Sequence, residues 1–284
     1  MTTASDVSAT DTSAATVPSS APGRLGWLKE TAIVVGFYYV YQTIRSLADH
    51  GGVTNRAYGN ARRLVGWERT LGIFHEQSIQ QAVLAARWFI KAMNIYYGTL
   101  HFVITVGLLV WLYMKRHHAY RAMRNLLGLT TGLALIGYWA FPLAPPRLYK
   151  CNHSIPVPGP DGYAIGKCFV DTLSKVGGLW SYHSPVAKAV ANQYAAMPSL
   201  HFGWALWCAI VIHRHSRHAW VRALGLLYPL LTLLSIVVTA NHYFLDAVGG
   251  AVLILTASTV IRAHERRRSQ KLLRAAGGDL APAQ

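Results

Sequence analysis

The sequence predicts an all-α integral membrane protein with six transmembrane helices and amphipathic segments outside the bilayer. Hydrophobic residues make up 52% of the 284-residue chain and charged residues only 13%, about half the share usual in a soluble domain. The mean hydropathy is +0.25. Apolar stretches near the ~20 residues that cross a hydrocarbon core recur along the chain. The net charge of +16 lies in short basic clusters beside these stretches. Such clusters anchor topology and meet anionic lipid; a nucleic-acid groove would gather them elsewhere, so nucleic acid is not an expected partner.

Residues 1–23 are rich in Ser, Thr, Ala and Pro. They lack the basic start and apolar core of a signal peptide and read as a disordered cytoplasmic tail. The membrane domain runs over 24–264, with spans expected at 27–47, 94–114, 125–143, 198–213, 220–240 and 243–261. The fourth is short, and the sixth carries one acid, Asp246. Residues 265–284 form a basic, flexible cytoplasmic tail. No internal repeat is present.

Six spans put both termini on one side. Arg24 and Lys29, then 115–124, 213–222 and 262–274, supply basic flanks that the positive-inside rule places in the cytoplasm. Arg56, Arg62, Arg63, Arg69, Arg87 and Lys91 sit in the outer segment 48–92. That segment has apolar residues at helical spacing, so it is expected to lie along the outer interface as an amphipathic helix or hairpin. The second outer segment, 144–197, opens on the loop "APPRLYKCNHSIPVPGPDGYAIGKC", rich in Pro and Gly. Its stretch 175–192 is a candidate short helix. Cys151 and Cys168 share that loop, and a disulfide between them is expected if it faces an oxidising compartment. Cys208 lies inside a span and reads as packing.

On this topology Arg147, His201, His242 and Asp246 reach one membrane face from three distant places in the chain. His242 and Asp246 are four apart in "TANHYFLDAVGG", so a helix starting near Asn241 would put them on one face. A carboxylate beside imidazole fixes its tautomer and leaves the other nitrogen free to attack an electrophile. Taken singly, each group has a plainer reading. A histidine at a membrane boundary is commonly structural, and Arg147 alone would be a lipid anchor. Together they are the parts of a phosphoryl-transfer site: an arginine for phosphate oxygens, a nucleophilic imidazole, and a second imidazole for the leaving oxygen.

"PSLH" (198–201) and "HYFLD" (242–246), preceded by "FPLAPPR" (141–147), resemble the type 2 phosphatidic acid phosphatase superfamily. Within it they are most similar to the branch containing inositol phosphorylceramide synthase. Thr239, Tyr243 and "NIYYGTLHF" (94–102), with His101, fit that branch. The chain departs from the general pattern in several places. Leu200 stands for Gly, Ile236 for Arg after the kept Ser235, Ala140 for Lys, and Leu148 for Pro. The resemblance implies a phosphatidic acid phosphatase-like helical bundle that needs no metal or other cofactor. It implies His242 as nucleophile, Asp246 as its orienting group and His201 as proton donor and acceptor. It also implies Arg147 as phosphate holder, helped by Lys150 or by donors near Ser199. His101, Asn241 and Tyr243 are candidates for the supporting shell.

The expected activity is transfer of a phosphoryl group or phospho-headgroup from a lipid at the outer face of the plasma membrane. Water as acceptor makes a phosphatase; a polyol or sugar hydroxyl makes a phosphotransferase. Two other readings remain open. A metal or haem protein would use His101, His201 and His242 as ligands and would carry metal when purified. A transporter or scaffold would show inverted repeats and broken helices, and would bind without turnover.

Overall fold

The computed structural model describes residues 26–47, 53–149, 169–179 and 193–278. Two compact units divide the chain, Met1–Tyr39 and Val40–Gln284. The first holds most of α1 (Gly26–Leu47), on which Val35, Tyr38 and Tyr39 are exposed. The second holds α2 (Val53–Thr70), α3 (Glu76–Val83), α4 (Arg87–Ile95), a π-helical turn (Tyr96–Leu100) and α5 (His101–Lys115). It continues with α6 (His117–Ala140), α7 (Thr172–Lys175), α8 (Leu200–His215), α9 (Ala219–Val238) and α10 (Phe244–Gly278). Among the described residues the only extended pairing is an isolated bridge, Leu143 to Ala195.

Among the described residues three helices are long and apolar enough to cross a membrane: the continuous Arg87–Lys115, Ala219–Val238 and Phe244–Lys271. The other expected spans are helical but differ in kind. α8 has sixteen residues, and α6 opens on the basic turns of "HHAYRAMR". Exposed apolar side chains such as Val106 and Val110 on α5, Leu227 and Leu230 on α9, and Val252 and Leu255 on α10 coat the bundle. An apolar surface of that extent meets lipid or protein, not water.

α8 packs against α5, α6, α9 and α10. Its core contacts include Trp207, whose indole donates to Met123 O at 2.8 Å. The first turn of α8 and the second of α10 touch backbone to backbone. A Cβ at Gly250 would collide with the Ser199 carbonyl oxygen, and one at Gly249 would press to 3.1 Å on Pro198. Gly250→Ala must therefore push two helices apart and should lower stability by about 2 kcal/mol or more. Thermal unfolding in detergent reads this, and an unshifted midpoint would refute the close approach.

Residues 53–92 form helices with a turn between α2 and α3. α2 buries Ala57, Ala61, Leu64 and Val65, one face at a spacing of three and four. Gly72 takes a left-handed φ of 69° just after it, which glycine adopts without Cβ strain. Buried amides on α3 and α4 then tie down residues 169–179. Gln80 donates to Val170 O and Val238 O, and Asn94 donates to Thr172 O and Gly177 O. Of the candidate short helix 175–192 only 175–179 are described; Lys175 closes α7 and a turn follows. α7 is capped by Asp171, which accepts from Ser174 N. Residues 180–192 lie outside the described residues, as do Lys150, Cys151 and Cys168.

Candidate active site

The site is built around the end of α9. Asn241 N donates to Ile236 O and Ala240 N to Val237 O, the paired bonds of a Schellman cap. Ala240 occupies its left-handed position at φ 54°, where glycine is usual, at a strain of about 1 kcal/mol. The turn also docks the segment after α6. Pro142 stops α6, because the residue before a proline leaves the helical region. Leu143 N then donates to Tyr194 O, Ala144 N to Ala57 O, and Arg147 N to Ala240 O at 2.7 Å. Asn241 Oδ1 accepts from Arg147 Nε at 2.8 Å, while its Nδ2 donates to Thr239 O and Oγ1. Asn241, the residue before His242, thus holds the Arg147 guanidinium.

α10 begins at Phe244, not near Asn241 as the spacing suggested, so His242 precedes the helix. The pair with Asp246 forms nevertheless, with Nδ1 to Oδ2 at 3.3 Å. Asp246 is the third residue of the helix, and such a residue reaches back over the N-terminus. Its Oδ2 also accepts from Tyr243 N at 3.0 Å. Asp246 is fully buried and His242 is 5% exposed. A carboxylate facing Nδ1 selects the Nδ1–H tautomer and leaves a lone pair on Nε2. No described residue hydrogen-bonds that Nε2.

His201 comes from the first turn of α8. Ser199 caps that helix, accepting from Phe202 N, and its own N–H donates to Asp246 O at 2.9 Å. This bond brings "PSLH" to "HYFLD". The His201 ring lies 5.8 Å from that of His242 and stacks on Tyr97 at 4.2 Å. His101 lies 5.1 Å behind it, fully buried, with Nδ1 bonded to Tyr228 OH at 3.0 Å. Three imidazoles therefore form a row. Tyr97 lies within the π-helical turn and His101 directly follows it, a local widening common at functional sites.

Other expected members fall differently. Tyr243 is a core residue: its ring is buried beside Leu64, Leu143 and Tyr149. Ser199 is fully buried and its backbone N–H is occupied by Asp246 O. Ile236 is buried where the family pattern has an arginine. Ala140, where the pattern has a lysine, shares a cavity of about 570 Å³ with Arg56 and Arg63 of α2. Cys208 is a buried free thiol near Thr105. Among the described residues no group of three His, Cys, Asp or Glu could hold a metal ion.

Two residues escaped the sequence reading. Glu76 Oε1 accepts from Phe244 N and Glu68 Oε1 from Leu245 N, each at 2.8 Å, and both side chains are fully buried. Burial first, then the facing Glu76 carboxyl, push Glu68 up to about 9. Scarcity was the available signal. The chain has eleven acids, and "ERTLGIFHE" spends two of them in an apolar setting. Tyr97 had no such signal, because its placement depends on the π-helical turn.

A family model described as the PAP2 superfamily matches residues 62–260. The chain belongs to this superfamily, whose members are generally phosphatases or phosphotransferases. Neither the curated proteins nor the solved structures contain a match.

Proposed function

We propose that this PAP2 superfamily chain is an integral membrane enzyme that moves a phosphoryl group or phospho-headgroup from a lipid to water or to a polyol or sugar hydroxyl. The observation that carries this reading is the buried His242–Asp246 pair, 3.3 Å apart, with the His201 ring 5.8 Å away.

In this reading His242 Nε2 attacks phosphorus, forming an N–P bond as the P–O bond to the leaving group breaks. Asp246 holds the Nδ1 proton and stabilises the positive ring. His201 gives a proton to the leaving oxygen, then takes one from the incoming hydroxyl as that oxygen displaces His242. Arg147, held by Asn241, donates to the phosphoryl oxygens as their charge develops. Six spans, cytoplasmic termini and a site at the outer face complete the proposal. The three apolar helices and the exposed apolar belt support it. The synthase-like branch rests on "PSLH", Thr239 and Tyr243, and favours a hydroxyl acceptor over water.

The test is turnover in detergent or liposomes on a panel of lipid phosphates and phosphodiesters, with chelator present and with or without polyol acceptors. Free phosphate without acceptor makes the enzyme a phosphatase. Product only with acceptor makes it a transferase. No turnover on any member would overturn the reading. His201→Gln should slow turnover of lipid substrates about 10²–10⁴-fold. The loss should shrink for an aryl phosphate, whose leaving group departs without a proton. An equal loss on both substrates would remove His201 from the proton-transfer step.

A further inference from the structure

We propose that Glu68 and Glu76 are positioning residues for the reaction: they clamp the first turn of α10 and so hold His242 and Asp246 in register. The inference rests on the phosphohistidine reading above.

A helix begins with backbone N–H groups that lack intrahelical partners. At the start of α10 three consecutive ones, on Tyr243, Phe244 and Leu245, go to three carboxyl groups, of Asp246, Glu76 and Glu68. Asp246 is local. The glutamates arrive from positions 168 and 177 residues away in the chain. Water or a serine would cap an ordinary helix end. Two fully buried acids are a costly alternative, and they sit beside the residues that perform the chemistry.

The second oxygens of both glutamates accept no hydrogen bond from a conventional donor. Burial and the neighbouring Glu76 carboxyl raise Glu68, so Glu68 is the one that keeps a proton in the folded chain. The titratable groups facing the pair are Asp246, with His242 beyond it, and the buried Tyr243 hydroxyl. Among the described residues neither glutamate makes an ion pair. The three carboxyl groups gather at the positive end of the α10 dipole and fix the turn that carries His242.

The experiment compares E68A, E68Q, E76A and E76Q with wild type in the full chain. It measures kcat and KM on a lipid phosphate that wild type turns over and His242→Ala does not, and Tm from pH 6 to 9. Glutamine at 68 mimics the protonated carboxyl: its oxygen accepts from Leu245 N, and its amide donates to Glu76. E68A should lower kcat at least about tenfold with KM little changed, and E68Q should recover it to within about threefold. E76Q puts an amide in place of the carboxyl that caps Phe244 N and should lose about tenfold in kcat. The pH arm has a definite sign. Glu68 ordinarily titrates at 4.5 and is raised to about 9. The folded chain thus holds a proton that the unfolded chain releases, and stability declines as pH rises between those values. E68Q removes that decline, so its Tm at pH 9 should equal or exceed that of wild type.

Two results would overturn the clamp: E68Q failing as badly as E68A while folded, or E76Q and E76A keeping wild-type kcat. If wild type turns over no lipid phosphate, the phosphoryl-transfer reading falls. The Tm series then still decides whether Glu68 holds a proton in the folded chain. If an alanine variant does not fold, the glutamine pair decides alone.

Discussion

His242→Ala should abolish turnover, a loss of about 10⁴-fold or more in kcat. The argument is geometric. His242 Nδ1 is committed to Asp246, so Nε2 is the atom available for attack, and alanine has nothing to replace it. Truncation also leaves Asp246 buried with only the Tyr243 N–H on its Oδ2, so some loss of stability should accompany it. His242→Gln separates the two effects. Its amide donates to Asp246 and supports the fold, yet it cannot form a phosphoramidate. Both variants should be inactive, and the glutamine variant should unfold close to the wild-type temperature. Rapid acid-free quenching of wild type with a labelled lipid phosphate should trap a base-stable, acid-labile phosphoenzyme that both variants lack. Turnover by either variant would remove His242 from the nucleophile role.

Asp246→Asn should lower kcat by about 10³–10⁴-fold with the fold intact. The asparagine oxygen still accepts from Tyr243 N, so the start of α10 keeps its cap. That same oxygen position also faces His242 Nδ1, so the tautomer is kept, but the negative charge that stabilises the imidazolium formed on attack is gone. A buried charge is also removed, so Tm should hold or rise. The discriminating measurement is the phosphoenzyme. Asp246→Asn should bind phosphate like wild type but accumulate the intermediate far more slowly. A variant that keeps a tenth of wild-type kcat would show that Asp246 serves the helix cap alone.

Much of this site was legible along the chain because its signals are local. His242 and Asp246 are four apart, and a four-residue step brings side chains together wherever the helix begins. The helix in fact starts at Phe244, and the pair survives because an acid at its third position reaches back over the end. "PSLH" was legible for a similar reason: Ser199 is a helix cap, a role set by residues within one turn. The helical class and the membrane setting followed from apolar run length, since lipid offers backbone groups no partner but their own helix.

What the chain order could not reveal is which distant backbone groups would need partners. Asn241 holds Arg147 across 94 residues, and Glu68 and Glu76 cap α10 across 177 and 168. Tyr97 meets His201 through a π-helical turn that no residue spacing announces. In the sequence by itself, local spacing and apolar run length carried the helical class, the superfamily and the pairing of His242 with Asp246. Only the tertiary structure decided where α10 begins, which acids clamp it and what holds the arginine. Those choices depend on which polar groups packing leaves buried, and a buried N–H takes its partner from whatever the fold brings within 3 Å.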